Sequence, residues 1–327
     1  MNQLSSKKSI ILLAGSTGSI GRSVLGKLIN KNFTLICPVR QLSEIKKDGR
    51  KEESTLDICS SETVNELKKN HKKIDVIISC LGSKIGTFED AREVELKANN
   101  NLLELAKHFR VKQFILLSAI CTQKPKLEFQ RNKSLFESYL KKSGINYTII
   151  RPTAFFKSLS GQIKRVKEGK RFIVFDSGKR TKCKPISDDD LADFICTTIN
   201  RKVNFNKTLN VGGPGPALSH HDIGTMLFRL IQRPPKFFYI PSLLFKIIVI
   251  LTTPLCFFSN RVRDFNEFMR IGHYYATESM LYWDHANKSY EETKTPEYGK
   301  NTLENYYKEI ISKDFDSISL PDKKLFS

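Results

Sequence analysis

Three glycines spaced three residues apart, Gly15, Gly18 and Gly21, are the first residues of this chain whose arrangement could serve chemistry. They directly follow an apolar run, Ser9 to Ala14, and open a segment whose apolar residues have helical spacing. In such a strand, turn and helix, the first glycine permits a tight turn, the second lets the backbone approach a pyrophosphate, and the third lets the helix pack on the strand. The spacing therefore predicts a nucleotide-binding turn, the alternative being a tight turn without a ligand.

Arg40 stands at the end of the second apolar strand, where NAD enzymes usually carry an acid that binds the ribose hydroxyls. A guanidinium suits a 2′-phosphate, so the sequence favours NADPH over NADH, unless Arg40 is an ordinary exposed cation. We interpret Cys80, at the end of the next strand, as a small buried hydrophobic residue. Further cofactor contacts are expected from the turn and from later strand ends, at Thr17, Ile20, Cys80, Leu81, Gly82 and Pro152.

Apolar runs alternate with helical stretches along the first half of the chain. The predicted strands are Ser9 to Ala14, Phe33 to Val39, Ile74 to Leu81, Phe114 to Ala119 and Tyr147 to Arg151. Between them lie helical stretches such as Ala91 to Arg110 and Gln130 to Ser143. This alternation predicts an α/β fold with a Rossmann-type, doubly wound parallel sheet, and the uniformly apolar strands indicate that both faces of the sheet are covered.

After Pro152 the rhythm loosens, which predicts a smaller C-terminal lobe. We divide the chain into a nucleotide-binding domain, residues 7–153, and a substrate-binding lobe, residues 154–320. The two are partly interleaved, because a strand at Thr208 to Gly212 is expected to join the sheet. Helices at Ser187 to Thr198 and Ser219 to Gln232 each begin with a Ser that has an Asp three positions on, which is typical of a capped helix start.

The composition, with 40% hydrophobic and 27% charged residues, excludes a disordered chain and a disulfide-stabilised scaffold. Lys and Arg number 54 against 34 Asp and Glu, and the net charge of +20 favours anionic ligands, acidic lipids or nucleic acid. The stacking motifs of RNA-binding proteins are not evident, so no nucleic-acid partner is expected. The seven cysteines form no C-x-x-C pair, which predicts no metal site and a reducing, intracellular compartment.

Residues 237–258 are mostly apolar and raise the question of a membrane span. Pro241, Lys246 and Pro254 interrupt the stretch and leave about 12 residues, short of the roughly 20 that a spanning helix needs. We predict a lid over the substrate or a peripheral membrane contact, with a core helix as the alternative.

The glycine spacing resembles that of the extended and atypical short-chain dehydrogenase/reductases. That superfamily usually has a Ser or Thr at the fourth strand end and a Tyr-x-x-x-Lys pair. Ser118 and Lys133 match the Ser and the Lys, but Phe129 stands where the Tyr would be. The resemblance therefore assigns catalytic roles to Ser118 and Lys133 and puts carbonyl reduction with a phenolic proton donor in doubt.

Longer blocks are similar to the NADPH-dependent divinyl chlorophyllide 8-vinyl reductases. The blocks are residues 117–131, 151–161, 183–187, 211–215 and 274–281, and Phe129 belongs to that family pattern too. The resemblance implies reduction of an 8-vinyl group to ethyl in chlorophyll synthesis, on a magnesium tetrapyrrole that has a free propionate. The chain differs in having His273 where the family tends to have Arg. Plant members carry a transit peptide, and the short polar N-terminus here leads us to expect a cyanobacterial or other bacterial host. The expected location is the cytoplasm, with a peripheral position at the thylakoid membrane as the alternative.

In that family a phenol is not needed for the chemistry, because the macrocycle delocalises the charge left by hydride addition to the vinyl group. The resemblance implies that Lys133 holds the nicotinamide ribose and that Ser118 lies near the nicotinamide, unless it only ends the strand. Substrate contacts are expected at Phe129, Arg151, Phe155, Phe156, Lys157, Lys184 and His273, where cations would pair with the propionate. Alternatives are ordinary surface charges, an unspecialised His273, and, for the whole chain, a non-catalytic NADPH-binding scaffold, a nucleotide-sugar epimerase or an RNA-binding Rossmann protein.

Overall fold

The computed structural model describes residues 8–40 and 51–312. Residues 1–7, 41–50 and 313–327 lie outside the described residues. They include the short N-terminus, most of the segment between Arg40 and Thr55, and the outer ends of the two predicted domains. The strands are β1 (Ser9–Ala14), β2 (Phe33–Val39), β3 (Lys51–Thr55), β4 (Val76–Ser79), β5 (Gln113–Leu117), β6 (Tyr147–Pro152), β7 (Phe172–Phe175), β8 (Lys182–Cys183), β9 (Lys207–Val211), β10 (Leu218–Ser219), β11 (Phe237–Ile240), β12 (Tyr282–Asp284) and β13 (Ser289–Glu291). The helices are α1 (Ser19–Ile29), α2 (Ser61–Asn70), α3 (Phe88–Ala91), α4 (Ala98–Phe109), α5 (Glu128–Lys141), α6 (Ile163–Lys167), α7 (Asp188–Thr198), α8 (His220–Leu230), α9 (Leu243–Thr252), α10 (Asn260–Thr277) and α11 (Leu303–Ser312).

Among the described residues, seven parallel strands form the central sheet in the order β3-β2-β1-β4-β5-β6-β9. Alternate residues of β1 enter two different cores, with Leu12 in one and Ile11 and Leu13 in the other. Helices α2, α4 and α5 pack on the first face, and α1 and α7 pack on the second. The predicted Rossmann-type sheet, covered on both faces, is confirmed, and it has two strands more than the first half of the sequence suggested.

Two elements of the C-terminal half complete this sheet. Strand β9 pairs in parallel with β6, which confirms that the chain returns to the sheet as expected from Thr208 to Gly212. Helix α7 packs on α1, and the Lys27 ammonium lies 2.7 Å from Asp189 and 3.0 Å from Asp193. The N-terminal half is therefore not a closed unit by itself.

The predicted helix Ala91 to Arg110 is interrupted. Residues Arg92–Lys97 form a π-helical segment between α3 and α4. A π-helix has a wider turn than an α-helix, so the side chains that follow it are rotated out of the regular 3.6-residue register. This rotation determines which charged residue faces the edge of the sheet.

A second core lies in the C-terminal lobe, where α6, α8 and α11 pack around Phe156 and Phe172. Its sheets are small: β11 pairs with β7, β10 with β8, and β12 with β13. Both predicted helix caps are present, because the Ser187 hydroxyl accepts from Asp190 N–H and the Ser219 hydroxyl accepts from Asp222 N–H. Only Asp222 returns a bond to its capping Ser, 2.9 Å to the backbone N–H, because the Asp190 carboxylate binds Asn301 instead.

Residues 237–258 form β11, α9 and a 3₁₀ turn, and α9 buries none of its residues. The alternative of a core helix is therefore wrong. Helix α9 packs beside α10, with the Asn266 amide donating to Val249 O at 2.9 Å. Within residues 8–40 and 51–312, no helix has the length and the hydropathy that crossing a bilayer requires.

Candidate active site

The glycine turn, residues 15–21, joins β1 to α1 at the carboxyl edge of the sheet. Gly15 has φ of +79°, which favours glycine, and a Cβ there would lie 2.7 Å from the carbonyl oxygen of Cys80 on β4. A Cβ at Gly21 would overlap the carbonyl oxygen of Gly15. The fold itself therefore requires glycine at both ends of the turn.

Gly18 is different, because nothing in the fold requires it to be glycine. Its φ of −71° is open to any residue, and the nearest atom to an added Cβ is Gly15 O at 3.4 Å. Gly18 caps α1, whose first N–H groups lack carbonyl partners within the helix and suit an anion. Nearby, the Ser16 hydroxyl is buried and has no hydrogen-bond partner in the described part of the chain. A phosphate-bearing cofactor fits this open backbone.

The other predicted cofactor residues follow the same edge. Arg40 is exposed directly after β2, and Thr17 is exposed in the turn, whereas the Ile20 side chain is packed in the core and offers only its backbone. Leu81 is half-buried after β4, and Gly82 has open space where a Cβ would lie. Burial raises the pKa of the Cys80 thiol to about 12, so this cysteine stays protonated and acts as an apolar residue.

Lys133, on α5, forms a buried ion pair. Its ammonium lies 2.6 Å from the Glu95 carboxylate, and the two side chains are 12% and 2% exposed. Glu95 belongs to the π-helical segment and also accepts from the backbone N–H and the hydroxyl of Ser83, each at 2.8 Å. The position and the rotamer of Lys133 are therefore fixed by a partner that comes from a different element.

Ser118, at the end of β5, is held by a second buried carboxylate. Its hydroxyl donates to Glu137 at 2.5 Å, and the Thr122 hydroxyl donates to the same oxygen at 3.2 Å. The Arg151 guanidinium, from β6, binds both oxygens of Glu137, with Nε at 3.0 Å from the first. Arg151 is thus paired inside the protein, and a substrate propionate would compete with Glu137 for it.

We refer to Lys133, Glu95, Ser118, Glu137 and Arg151 as the charged cluster. Sequence reasoning missed both of its carboxylates. Glu137 had a usable signal, because it lies four residues after Lys133 and therefore on the same face of α5. Glu95 had none, since the π-helical segment changes the register that would place it.

Helix α10 covers the start of α5. The Glu267 carboxylate accepts from Glu128 N–H at 2.7 Å, at the N-terminus of α5, while burial raises the pKa of that carboxyl group. Phe129 lies in this first turn of α5 and packs with Ile271 of α10 and with Cys121. An apolar side chain therefore stands one helical turn before Lys133, where the wider superfamily has a phenol.

His273, on α10, is half-buried. Burial first, and then the neighbouring charges of Lys126, Lys246 and Arg180, lower its pKa. The imidazole is therefore neutral at pH 7 and lies among cations that could attract an anionic group.

The remaining predicted substrate residues are divided between surface and core. Phe155 and Lys157 are half-buried after β6, whereas Phe156 is 2% exposed in the second core, with its ring centroid 5.4 Å from that of Tyr306. Lys184 is buried and pairs with Glu297. Pro152 ends β6 and is buried.

Among residues 8–40 and 51–312, no three His, Cys, Asp or Glu side chains are grouped to hold a metal ion.

Comparisons with known proteins agree with this geometry. A family model described as NAD(P)H-binding matches residues 15–202. A nucleoside-diphosphate-sugar epimerase from Staphylococcus aureus superposes with a TM-score of 0.66 at 15% identity, over 92% of this chain and 99% of that one. A UDP-glucuronic acid 4-epimerase from Bacillus cereus in complex with NAD gives 0.63 at 16% identity, over 91% and 96%. These likenesses show the fold, and the family model shows a nicotinamide-nucleotide-binding chain.

Sequence relatives are more specific. The divinyl chlorophyllide a 8-vinyl-reductase of Arabidopsis thaliana is 41% identical over 92% of this chain and 76% of that protein, and the one of Cucumis sativus is 39% identical over 98% and 80%. The photosystem II assembly factor Ycf39 of Synechocystis is a more distant relative, 25% identical over 62% of each chain. The glycine turn, the charged cluster and Phe129 thus belong to a chain that is a member of the divinyl chlorophyllide a 8-vinyl-reductase family.

Proposed function

We propose that this protein uses NADPH to reduce the 8-vinyl group of a divinyl chlorophyllide or protochlorophyllide to ethyl. The observation that carries the proposal is the 41% identity, over 92% of the chain, to a plant protein named for this reaction. The arrangement of the site supports it, because Phe129 and the charged cluster suit a reduction that needs no phenolic proton donor.

The cofactor would be held by the glycine turn and Arg40. Gly18 leaves space for a pyrophosphate at the start of α1, and the exposed Arg40 is placed to pair with a 2′-phosphate. When bound, NADPH would supply the hydride, and a proton taken from solvent would complete the ethyl group. Choice of NADPH over NADH rests on Arg40 alone, and it is therefore a separate part of the proposal.

The charged cluster would orient the reacting groups. Lys133, fixed by Glu95, offers its remaining donors to the ribose hydroxyls, and Ser118, fixed by Glu137, borders the nicotinamide side of the site. Ser118 already donates its proton to Glu137, so its oxygen can accept a hydrogen bond from a ligand. Phe129 keeps this region apolar and limits access of water to the vinyl group.

The substrate would lie between the sheet edge and residues 154–320. Lys157 and Arg180, which lies near His273, are more accessible to a propionate than Arg151 and Lys184, which have internal partners. Phe155 is available to the macrocycle, whereas Phe156 would support it from the core. We also propose that the reaction takes place beside a photosynthetic membrane, since relatives are named chloroplastic and many large apolar side chains of residues 237–258 are exposed.

An absorbance experiment tests the reaction. Purified protein, NADPH and divinyl chlorophyllide should move the Soret band to shorter wavelength as the conjugated vinyl group is lost. A Gly18→Val variant, which we expect to fold like the parent, serves as the matched inactive control. The distant relation to an assembly factor favours a non-catalytic NADPH-binding scaffold as the second candidate. An unchanged spectrum with protein that binds NADPH would support that candidate and contradict the reductase.

A further inference from the structure

An exposed apolar surface lies away from the charged cluster, on α9 and the turn after it. We call residues 243–258 the apolar arm. Its outward side chains are large and solvent-exposed, and Phe257 and Phe258 at its end are 90% and 87% exposed. The others are Leu243, Leu244, Ile247, Ile250, Leu251 and Leu255.

Helix α9 is apolar on both sides. Its inner side, at Phe245, Ile248, Val249 and Thr252, follows helical spacing and is half-buried. There Phe245 lies against Gly272 of α10 and 5.1 Å from the ring of Phe175. The inner side therefore accounts for the packing of α9 on the protein, and the outer side has no packing role. A helix that is apolar all round is normally buried on every side. The outer side of α9 therefore indicates contact with a second apolar environment.

The chain segment that contains the apolar arm carries charge of one sign. Between Asp222 and Asp264 the sequence contains no acidic residue and six cations, Arg229, Arg233, Lys236, Lys246, Arg261 and Arg263. Arg229 pairs with Glu304 and Arg263 with Glu89. Lys236, Lys246 and Arg261 are exposed and pair with no acidic group in the described part of the chain. Apolar side chains bordered by free cations match the surface of an anionic bilayer.

The dimensions exclude a span. Ten residues of α9 are about 15 Å long, half of the roughly 30 Å hydrocarbon thickness of a bilayer. A second copy of this chain is also disfavoured as the occupant, because a two-fold interface joins the same patch twice and this segment offers no acidic partner for its cations. A lid over the substrate would use the side that faces the protein, which α10 already covers.

We propose that the apolar arm inserts into one leaflet of an anionic lipid membrane, with Phe257 and Phe258 deepest and with Lys236, Lys246 and Arg261 at the lipid headgroups. The inserted residues anchor the protein at the surface without crossing it. This inference specifies the membrane contact that belongs to the proposed function, and its test needs neither NADPH nor a tetrapyrrole.

Vesicle flotation of the full chain tests the proposal. Vesicles of phosphatidylcholine that contain phosphatidylglycerol should carry the protein, and vesicles of pure phosphatidylcholine should carry much less. The variant Phe257→Ser/Phe258→Ser should bind at least about tenfold more weakly, since two large apolar side chains no longer leave water. Val203→Ser, which changes a 66% exposed apolar residue outside the arm, is the matched control and should bind like the parent.

A charge variant separates headgroup attraction from insertion. Lys246→Gln/Arg261→Gln should weaken binding to anionic vesicles and reduce its sensitivity to salt, while Lys72→Gln/Lys202→Gln, two exposed lysines elsewhere, should have a smaller effect. All variants alter exposed side chains, and circular dichroism checks that they fold.

Several outcomes would overturn the proposal. A parent chain that does not float with anionic vesicles, or a Phe257→Ser/Phe258→Ser variant that floats like the parent, rules out insertion. Loss of a dimer in the same variant, without vesicle binding by the parent, would identify a second copy as the occupant. Resistance of the vesicle-bound protein to carbonate extraction would indicate a span. If the reductase assay fails, vesicle binding is still expected, because it needs neither NADPH nor a tetrapyrrole.

Discussion

The glycine turn and the charged cluster share one edge of the sheet but are built by opposite means. The turn is made of backbone, and at Gly18 it keeps a space that the fold does not need. The cluster is made of buried side chains, in which Glu95 and Glu137 each hold a cation and a hydroxyl-bearing residue. Ligand binding can therefore be separated from folding in the turn, whereas in the cluster the two depend on the same contacts.

The largest contrast is expected within the turn itself. Gly18→Val should leave the free energy of unfolding nearly unchanged and weaken NADPH binding by about 100-fold or more, because the side chain fills the space for phosphate. Gly21→Val should destabilise the protein by about 3 kcal/mol or more, since its Cβ overlaps the Gly15 carbonyl. Thermal unfolding and a fluorescence titration with NADPH measure both. Parent-like NADPH binding by Gly18→Val would show that the turn does not hold the cofactor.

In the cluster, Lys133→Ala should lower turnover by about 10- to 100-fold, more than it raises the apparent KM of the vinyl substrate. It should also destabilise the fold by about 3–5 kcal/mol, because Glu95 loses its buried partner. Adding Glu95→Gln should restore stability but not turnover. Lys68→Ala, which breaks an exposed pair with Glu104, is the control and should change neither quantity much. Recovery of turnover in the double variant would mean that Lys133 has only a structural role.

Arg40, which follows β2 at the same edge of the sheet, tests the choice of cofactor. Arg40→Asp should reduce the preference for NADPH over NADH by about 10- to 100-fold, since a charge-assisted contact of roughly 1.5–3 kcal/mol is lost. Stability should not change, because Arg40 is exposed. Steady-state kcat/KM with each cofactor gives the ratio. An unchanged ratio would remove the 2′-phosphate contact from the proposal.

The smallest effect is expected at Phe129. Phe129→Tyr should leave vinyl reduction unchanged or slightly slower, because a hydroxyl is placed against the apolar contacts with Cys121 and Ile271. Initial rates from the Soret shift measure this. A variant markedly faster than the parent would contradict the mechanism, since it would show that a phenolic acid had been the missing catalytic part.

Much of the fold could be predicted because its strands are apolar runs bounded by turn residues. The limits of Ser9–Ala14, Phe33–Val39 and Phe172–Phe175 agree with the sequence pattern, and the capped helix starts at Ser187 and Ser219 are confirmed. Helix α10 was missed, because its buried residues include Asn266 and Glu267, which periodicity counts as surface positions.

Only part of the site could be predicted from the sequence, for a related reason. The spacing of the glycines located the turn, although the roles of its residues stay predictions. The partners of Lys133 and Arg151 are carboxylates from distant elements, and only the folded chain brings them together. Whether a cation such as Arg151 or Lys184 is free to meet a substrate depends on such pairings and could not be judged from residue type.

The contact between α1 and α7 has a consequence for how the protein is made. Helix α7 covers Val24, Leu25 and Leu28 of α1 and follows them by about 160 residues of chain, and β9 comes later still. A ribosome that has released only the first 153 residues has therefore exposed a sheet with one face covered by α1 alone, and the half-made chain cannot close its core. We expect folding to wait until β9 has emerged, so that nascent chains depend on chaperones over this interval and a truncation after Thr153 yields insoluble protein rather than an independent nucleotide-binding domain.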